Sequence, residues 1–127
     1  MYINVLTQIR NAQMVGKKNV KIPFSKMDES VLTILSKAGF VESAEKKGRG
    51  IKKYFDVTLR YQDNGEGAIE GVRLISKPSR RIYKKSTQLY PVRQGRGIAV
   101  ISTPGGVMAD ADARKQHMGG EVLFEIW

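Results

Sequence analysis

Gly95-Arg96-Gly97-Ile98-Ala99-Val100-Ile101-Ser102-Thr103-Pro104-Gly105-Gly106-Val107-Met108 decides how the rest of this chain is read. Ile98 to Ile101 is an unbroken apolar run, short, β-branched and bounded by glycine, which predicts a buried strand. Ser102 to Gly106 stops it abruptly. Pro104 cannot donate to a sheet, and Gly105 and Gly106 permit positive φ and close approach by another backbone. Two hydroxyls, Ser102 and Thr103, are therefore expected at the end of a rigid strand, on a loop with little side-chain bulk. Taken alone, such a loop reads equally well as a plain strand-to-helix connection. What lies upstream tips the balance. Lys77, Arg80, Arg81, Lys84, Lys85, Arg93 and Arg96 follow one another with no acid among them, which suits a site that receives a polyanion.

Composition agrees. The chain has 127 residues, enough for one large domain or two small modules, and its 41% hydrophobic content can fill a core. Its formal net charge is +10, the footprint of a nucleic-acid partner and, less specifically, of an anionic membrane surface. There is no cysteine, so disulfides and thiolate metal sites are excluded and a cytosolic compartment fits. No apolar run approaches the roughly 18 residues of a membrane span. Asn4, Thr7, Gln8 and Arg10 interrupt the N-terminal apolar residues, so no signal peptide is expected. The sequence has no internal repeat and no low-complexity tail.

Downstream of the central stretch, Asp110 to Gln116 reads as a short helix, acidic at its start and basic at its end. Gly119-Gly120 breaks it, and Val122, Phe124 and Ile126 alternate in a last strand. Upstream, Ser86 is expected to cap one helical turn through Tyr90, ended by Pro91. Arg81 to Lys84 is a short strand, Lys77 to Arg80 a turn, and Ile69 to Ile75 a strand. Asp63-Asn64-Gly65-Glu66-Gly67 is the strongest turn signal, and the module boundary is placed there.

In the first half, Tyr2, Val5, Leu6, Ile9 and Ala12 share one helical face, so residues 2–13 are expected to form a helix. Val20 and Ile22 form a short strand ending at Pro23. Ser25 and Asp28 make a capping-box-like pair before a second helix over 26–38, with Gly39 as its C′ residue. Phe40 to Ala44 is a strand and Glu45 to Gly50 its turn. Phe55, Val57 and Leu59 alternate with polar residues in a half-buried strand. The fold class is therefore α+β. Residues 1–64 form an α/β module of two helices on a three-stranded sheet. Residues 65–127 form a β-rich module with a short helix. Both halves are basic.

Catalysis finds little support. His117 is the single histidine. Grouped with Asp110 and Asp112 it lacks the i,i+4 spacing of a metal pair on one helical face, and it reads as a surface residue before a glycine break. No metal site and no cofactor are expected. Gly95-Arg96-Gly97 resembles a phosphate loop, but a strand follows it where a helix N-terminus is needed. Gly48-Arg49-Gly50 is a hairpin tip, whose neighbours Lys46, Lys47, Lys52 and Lys53 are either solvated or touch phosphates. Tyr83, flanked by Arg81, Lys84 and Lys85, suits a sugar or base contact with phosphate clamps beside it, or is an edge-strand tyrosine. A membrane-surface helix is not supplied by 26–38, where Lys26 and Lys37 face Asp28 and Glu29.

Several stretches, in order, resemble the bacterial-type family of ribosomal protein eight of the small (30S) subunit. Leu6-Thr7-Gln8-Ile9-Arg10-Asn11-Ala12 is similar to its first-helix signature and Pro23-Phe24-Ser25-Lys26 to its second-helix entry. Ser79-Arg80-Arg81-Ile82-Tyr83 is similar to its Arg-x-Tyr segment. Gly97 to Met108 matches its most specific motif, and Ala113-Arg114-Lys115 with Gly119-Gly120-Glu121-Val122 its C-terminus. The resemblance implies a primary rRNA binder of the central domain of 16S rRNA that helps assemble the subunit platform. It implies neighbouring ribosomal proteins as partners and, in some members, repression of the operon's own mRNA. It places the protein in a cytoplasmic ribosome, with an organellar one also compatible. No small-molecule substrate and no membrane are implied. The RNA-binding residues it implies are Ser102, Thr103, Pro104, Gly105, Gly106, Tyr83, Lys84, Arg81, Lys85 and Arg96, with Arg10, Asn11 and Lys26 from the first module.

Two positions depart from the family pattern. Many members carry Lys where this chain has Gly105, so one phosphate contact is missing or comes from Arg96 or Arg93. Members usually have Ser or Thr at Ala109, which leaves Asp110 as the expected cap of the helix it begins. The chain also begins several residues into the family's pattern, so contacts of the family's first residues are not carried over.

Overall fold

The computed structural model describes residues 2–77 and 79–127. The side chain of Tyr2, counted above in the first helical face, and Pro78, in the turn from Lys77 to Arg80, lie outside the described residues. The chain divides into two compact units, Met1–Ile69 and Glu70–Trp127.

In the first unit, helix α1 (Tyr2–Met14) is followed by strand β1 (Asn19–Pro23), helix α2 (Lys26–Ala38), strand β2 (Val41–Lys47) and strand β3 (Tyr54–Leu59). The sheet order is β1-β3-β2, antiparallel throughout. Val5, Leu6, Ile9 and Ala12 of α1 and Val31, Leu32 and Leu35 of α2 are buried. Ile22, Phe55, Val57 and Leu59 supply the buried side of the sheet. Gly39 ends α2 in the left-handed region (φ 85), returning its N–H to Leu35 and Ser36. The start of α2 differs from expectation: Ser25 is extended, as an N-cap must be, but its side chain makes no capping bond.

The hairpin β2–β3 is longer than the sequence suggested. Glu45 to Lys47 belong to β2, and the turn is displaced to Gly48–Lys53, where Gly50–Lys52 make one 3-10 turn. The hidden signal is on the solvent face. Lys47 Nζ donates to Asp56 at 3.0 Å, and Asn19 Nδ2 also reaches Asp56, at 3.3 Å. These cross-strand partners stabilise polar residues as strand. The Gln62–Glu66 turn ends with Gln13 of α1, whose side-chain amide bonds both the N–H and C=O of Ile69. Ile69 is thereby fixed to α1 and lies in no strand.

The second unit holds strand β4 (Val72–Leu74), strand β5 (Tyr83–Lys84), strand β6 (Ile98–Thr103), strand β7 (Gly106–Ala109), helix α3 (Asp110–Lys115) and strand β8 (Gly120–Ile126). The sheet runs β4-β8-β6-β7, with β5 also on β8. The two outer strands on β8 are shorter than expected: Val72–Leu74 instead of 69–75, and Tyr83–Lys84 instead of 81–84. A bulge explains how one strand serves both. Val100 pairs with Phe124 while Ile101 pairs with Val122, leaving Leu123 as the extra residue. Its carbonyl accepts the N–H groups of Ile75 and Ser76. Successive residues of β6 point to opposite faces, so Val122 and Phe124 do too. The expected simple alternation of 122, 124 and 126 is broken there. Val122 joins Leu89, Val92, Ala99, Ile101 and Ala113 in a buried cluster on the α3 side.

Ser76, 1% exposed, ties the segment before β5 to β8: its hydroxyl donates to the Val122 carbonyl at 2.6 Å and accepts the Ile82 N–H at 3.0 Å. After β5, the expected helical turn is a 3-10 turn over Ser86–Gln88. Its N-cap is Lys85, not Ser86, and the Lys85 N–H is taken by Gln88 Oε1 at 2.9 Å.

Candidate nucleic-acid interface

The central stretch is a β-hairpin. Thr103 pairs with Gly106, Ser102 with Val107, Ile101 with Met108 and Val100 with Ala109. Ser102 and Thr103 therefore lie in the strand ladder and the turn is only Pro104-Gly105. The sequence suggested a loop leading into a helix because β7 is four residues long and begins with glycine. Pro104 fits the first central position of the turn, where φ near −65° is needed. Gly105 keeps an ordinary φ, which excludes a type II turn, while Gly106 takes φ 115 and absorbs the extra twist.

Thr103 closes this turn. Its hydroxyl donates to the Gly106 carbonyl at 2.7 Å and accepts the Gly105 N–H at 3.1 Å. That is a local side-chain-to-backbone motif of the kind hydroxyl residues favour in turns. The Thr103 hydroxyl, expected as a free donor, is engaged in shaping the tip. A Cβ at Gly105 would lie 2.9 Å from Met118 Sδ, so that thioether supports the turn from below, a role that residue type and spacing do not signal. A Cβ at Gly106 would meet nothing within 4 Å. The backbone there faces open space.

The register assembles the rest. Tyr83 of β5 opposes Glu121 of β8, Glu121 opposes Ser102 of β6, and Ser102 opposes Val107 of β7. Directly opposed residues project from the same face, with Cβ atoms about 4.5–5.5 Å apart. Tyr83, Glu121, Ser102 and Val107 thus form one row across four strands. Tyr83 is 66% exposed. Arg81 reaches the same row, its Nη1 3.9 Å from Glu121 Oε1. Gly120 lets the strands close up beside it: a Cβ would stand 2.1 Å from the Ser102 carbonyl oxygen.

Not every expected residue joins this cluster. Lys84 follows Tyr83 in the strand and so points to the other face, where its Nζ sits 5.3 Å from the centroid of Tyr90. It does not flank Tyr83. Lys85 is exposed at the start of the 3-10 turn. Arg96 is exposed before β6, whose four-residue path from Ile98 to Ser102 spans about 13 Å, so it lies at the far end from the turn. Arg93 is there too, its guanidinium 4.1 Å from the ring of Trp127. Neither arginine stands in for a lysine at position 105. Arg10 and Asn11 lie on α1, and Lys26 opens α2, within the other unit. Asp110 caps no helix end. Its carboxylate, 3% exposed, accepts the Ala99 N–H at 3.1 Å and pairs with Arg114 at 2.6 Å.

The arrangement offers the Ser102 hydroxyl, one aromatic ring, bulk-free backbone and flanking cations. Among the described residues no three His, Cys, Asp or Glu gather to hold a metal, and no helix is long and apolar enough to cross a membrane.

The comparisons with known proteins point one way. Residues 2–127 match the family described as Ribosomal protein S8. The chain is 44% identical over 124 residues to the small ribosomal subunit protein uS8 of Caldanaerobacter subterraneus. It is 41% identical over 125 residues to that of Rippkaea orientalis, and 42% over 125 to that of Trichodesmium erythraeum. Each alignment covers 98% of this chain and 94% of the relative. With the hairpin Ile98–Ala109 inside the matched span, and relatives at this identity over nearly their whole length, the chain belongs to the ribosomal protein S8 family.

Proposed function

We propose that this protein is a structural, non-enzymatic component of the small ribosomal subunit that binds an irregular helix in the central domain of its rRNA and helps assemble the subunit platform. The observation that carries the reading is the β6–β7 turn: Ser102 sits beside a tip of Pro104, Gly105 and Gly106, with open space above the Gly106 backbone. A-form RNA presents 2′-hydroxyls and base edges across a shallow minor groove, and small hydroxyl side chains on a bulk-free tip suit that surface. Lys85 and Arg81 supply salt-dependent affinity beside it. In this reading the C-terminal module, residues 65–127, carries selectivity. Arg10, Asn11 and Lys26 of the N-terminal module add further backbone contacts. Other small-subunit proteins are its neighbours in the ribosome.

A footprint of the full-length protein on small-subunit rRNA tests this. One irregular helix should be protected, and log K should fall against log salt with a slope of roughly −0.7 to −0.9 per neutralised phosphate. Affinity unchanged between low and physiological salt, or protection spread evenly along the RNA, would overturn it.

A further inference from the structure

Two methionines converge beneath the Pro104-Gly105 turn. A Cβ at Gly105 would stand 2.9 Å from Met118 Sδ, 3.1 Å from the Met118 methyl and 3.7 Å from the Met108 methyl. Thr103 Oγ1, whose hydroxyl closes the turn, lies 3.8 Å from the same sulfur. One thioether therefore meets both the tip and the side chain that shapes it. Its backbone has little freedom to withdraw. The Met118 N–H donates to the Ala113 carbonyl at 2.9 Å. A Cβ at Gly119 would stand 2.5 Å from the Lys84 carbonyl oxygen, and one at Gly120 2.1 Å from that of Ser102, so the two residues that follow are wedged between neighbouring strands. The Met118 side chain itself is half-buried and not sealed, so a small solute reaches it. A thioether is a weak acceptor, and the Thr103 proton goes to the nearer Gly106 carbonyl, 2.7 Å away. A sulfoxide is polar and chiral. Its oxygen competes for the Thr103 proton, and a polar group replaces the soft apolar support under Gly105.

Resting on the reading of this turn as part of the RNA surface, we propose that Met118 is a redox-modification site: oxygen transfer to its sulfur by a peroxide loosens the Pro104-Gly105 turn and lowers RNA affinity, and reduction restores both. In the oxidation the S–O bond forms as the O–O bond of hydrogen peroxide breaks. The sulfur gives up two electrons, and the peroxide leaves as water with both of its protons. A methionine sulfoxide reductase reverses the step at the expense of two thiols, which leave as a disulfide with one water. The free protein is the vulnerable form, because bound RNA covers the turn.

The test treats the full chain with hydrogen peroxide and locates sulfoxide by peptide mass spectrometry. Binding to the cognate rRNA helix and amide exchange at Gly105 and Gly106 are then measured, with folding checked by circular dichroism. The chain has five methionines, so Met118→Leu and Met14→Leu are treated alongside; Met14 is 81% exposed and lies in the other unit. The parent and Met14→Leu should each lose roughly two- to tenfold in affinity, the value of one neutral hydrogen bond, and exchange faster at both glycines. Sulfoxide reductase should reverse both changes in the parent. Met118→Leu, a swap of similar volume, should keep after treatment whatever affinity it had before. Met118→Gln, polar and without sulfur, should show the loss with no oxidant. The proposal is wrong if Met118 stays reduced while Met14 is converted. It is equally wrong if the Met118 sulfoxide leaves exchange at Gly105 and Gly106 unchanged, or if treated Met118→Leu loses as much affinity as the parent. Should exchange quicken with affinity unchanged, Ser102→Ala decides which statement fails. If Ser102→Ala weakens binding, the turn's loosening has no effect on RNA and the proposal falls. If Ser102→Ala binds like the parent, the surface itself is misassigned, and the underlying reading falls with it.

Discussion

The carboxylate of Asp110 accepts the backbone N–H of Ala99 at 3.1 Å, so the first residue of α3 is bonded to the strand beneath it. Arg114, one turn on, neutralises the same carboxylate at 2.6 Å. This clamp holds α3 on β6, the strand that leads into the Pro104-Gly105 turn. Asp110→Ala leaves a buried N–H without an acceptor and should cost about 1–3 kcal/mol of stability. Asp110→Asn keeps an acceptor for Ala99 and should cost less. Urea unfolding of the two variants checks the order.

At the turn, Ser102→Ala removes one hydroxyl and leaves the ladder intact. Affinity for the cognate helix should fall roughly two- to tenfold, the value of one neutral hydrogen bond. Gly106→Val should cost more, because φ 115 is strained for any side chain and a branched one blocks the open face. Lys85→Ala should weaken cognate and scrambled RNA alike, since phosphate contacts carry no sequence information. Filter binding of the three variants separates these outcomes.

Thr103 behaves differently. Its hydroxyl is committed to Gly105 and Gly106, so Thr103→Val should loosen the turn and lower stability by about 1 kcal/mol. Thr103→Ser should retain both bonds. Amide hydrogen exchange at Gly105 and Gly106 should speed up in Thr103→Val alone.

The glycines of the site divide by what surrounds them. Gly120→Ala forces a Cβ against the Ser102 carbonyl, a backbone atom 2.1 Å away, and should destabilise by more than about 1–3 kcal/mol and abolish recognition. Gly105→Ala meets the flexible Met118 thioether, 2.9 Å away, and the Met108 methyl at 3.7 Å, and should be tolerated to within about 1 kcal/mol. Thermal unfolding with RNA binding distinguishes the pair.

In the N-terminal sheet, the hydrogen bond from Lys47 first, and that from Asn19 next, hold the Asp56 carboxyl below its ordinary value. The hydrogen bond to Asp56, with the attraction of its charge, raises Lys47. The acid's contribution is therefore present above about pH 4 and is lost as pH falls through its lowered value. The lysine's is present below about pH 10.4 and is lost as pH rises through its raised value. Both groups are at the surface, so the effect is small. Asp56→Asn should flatten the acid limb of a stability–pH curve and return the Lys47 titration toward its ordinary midpoint, read by NMR.

Helical periodicity carried α1 and α2 into view almost residue for residue, because one buried face of each supplies the first unit's core. The apolar run 98–101 marked β6 for the same reason. What stayed hidden was set by pairing between strands. β7 became a strand through pairing with β6, and Glu45 to Lys47 through partners on β3. The Leu123 bulge altered the alternation of β8 to serve two outer strands. At the site, Ser102 and the tip were legible as residue types. That Thr103 is internally bonded, that Lys84 turns away from Tyr83, and that Glu121 completes the row all depend on register, which a single sequence does not print.

The packing of Trp127 has a practical consequence. It is the chain's one tryptophan. Its ring lies beneath the Arg93 guanidinium, and Gly71 and Gly97 leave room for it. All of these residues belong to the C-terminal unit. Indole emission is thus an optical reporter of that unit. Followed beside the far-ultraviolet helix signal, to which α1 and α2 contribute most, it resolves whether the two halves melt as one cooperative body or in separate steps.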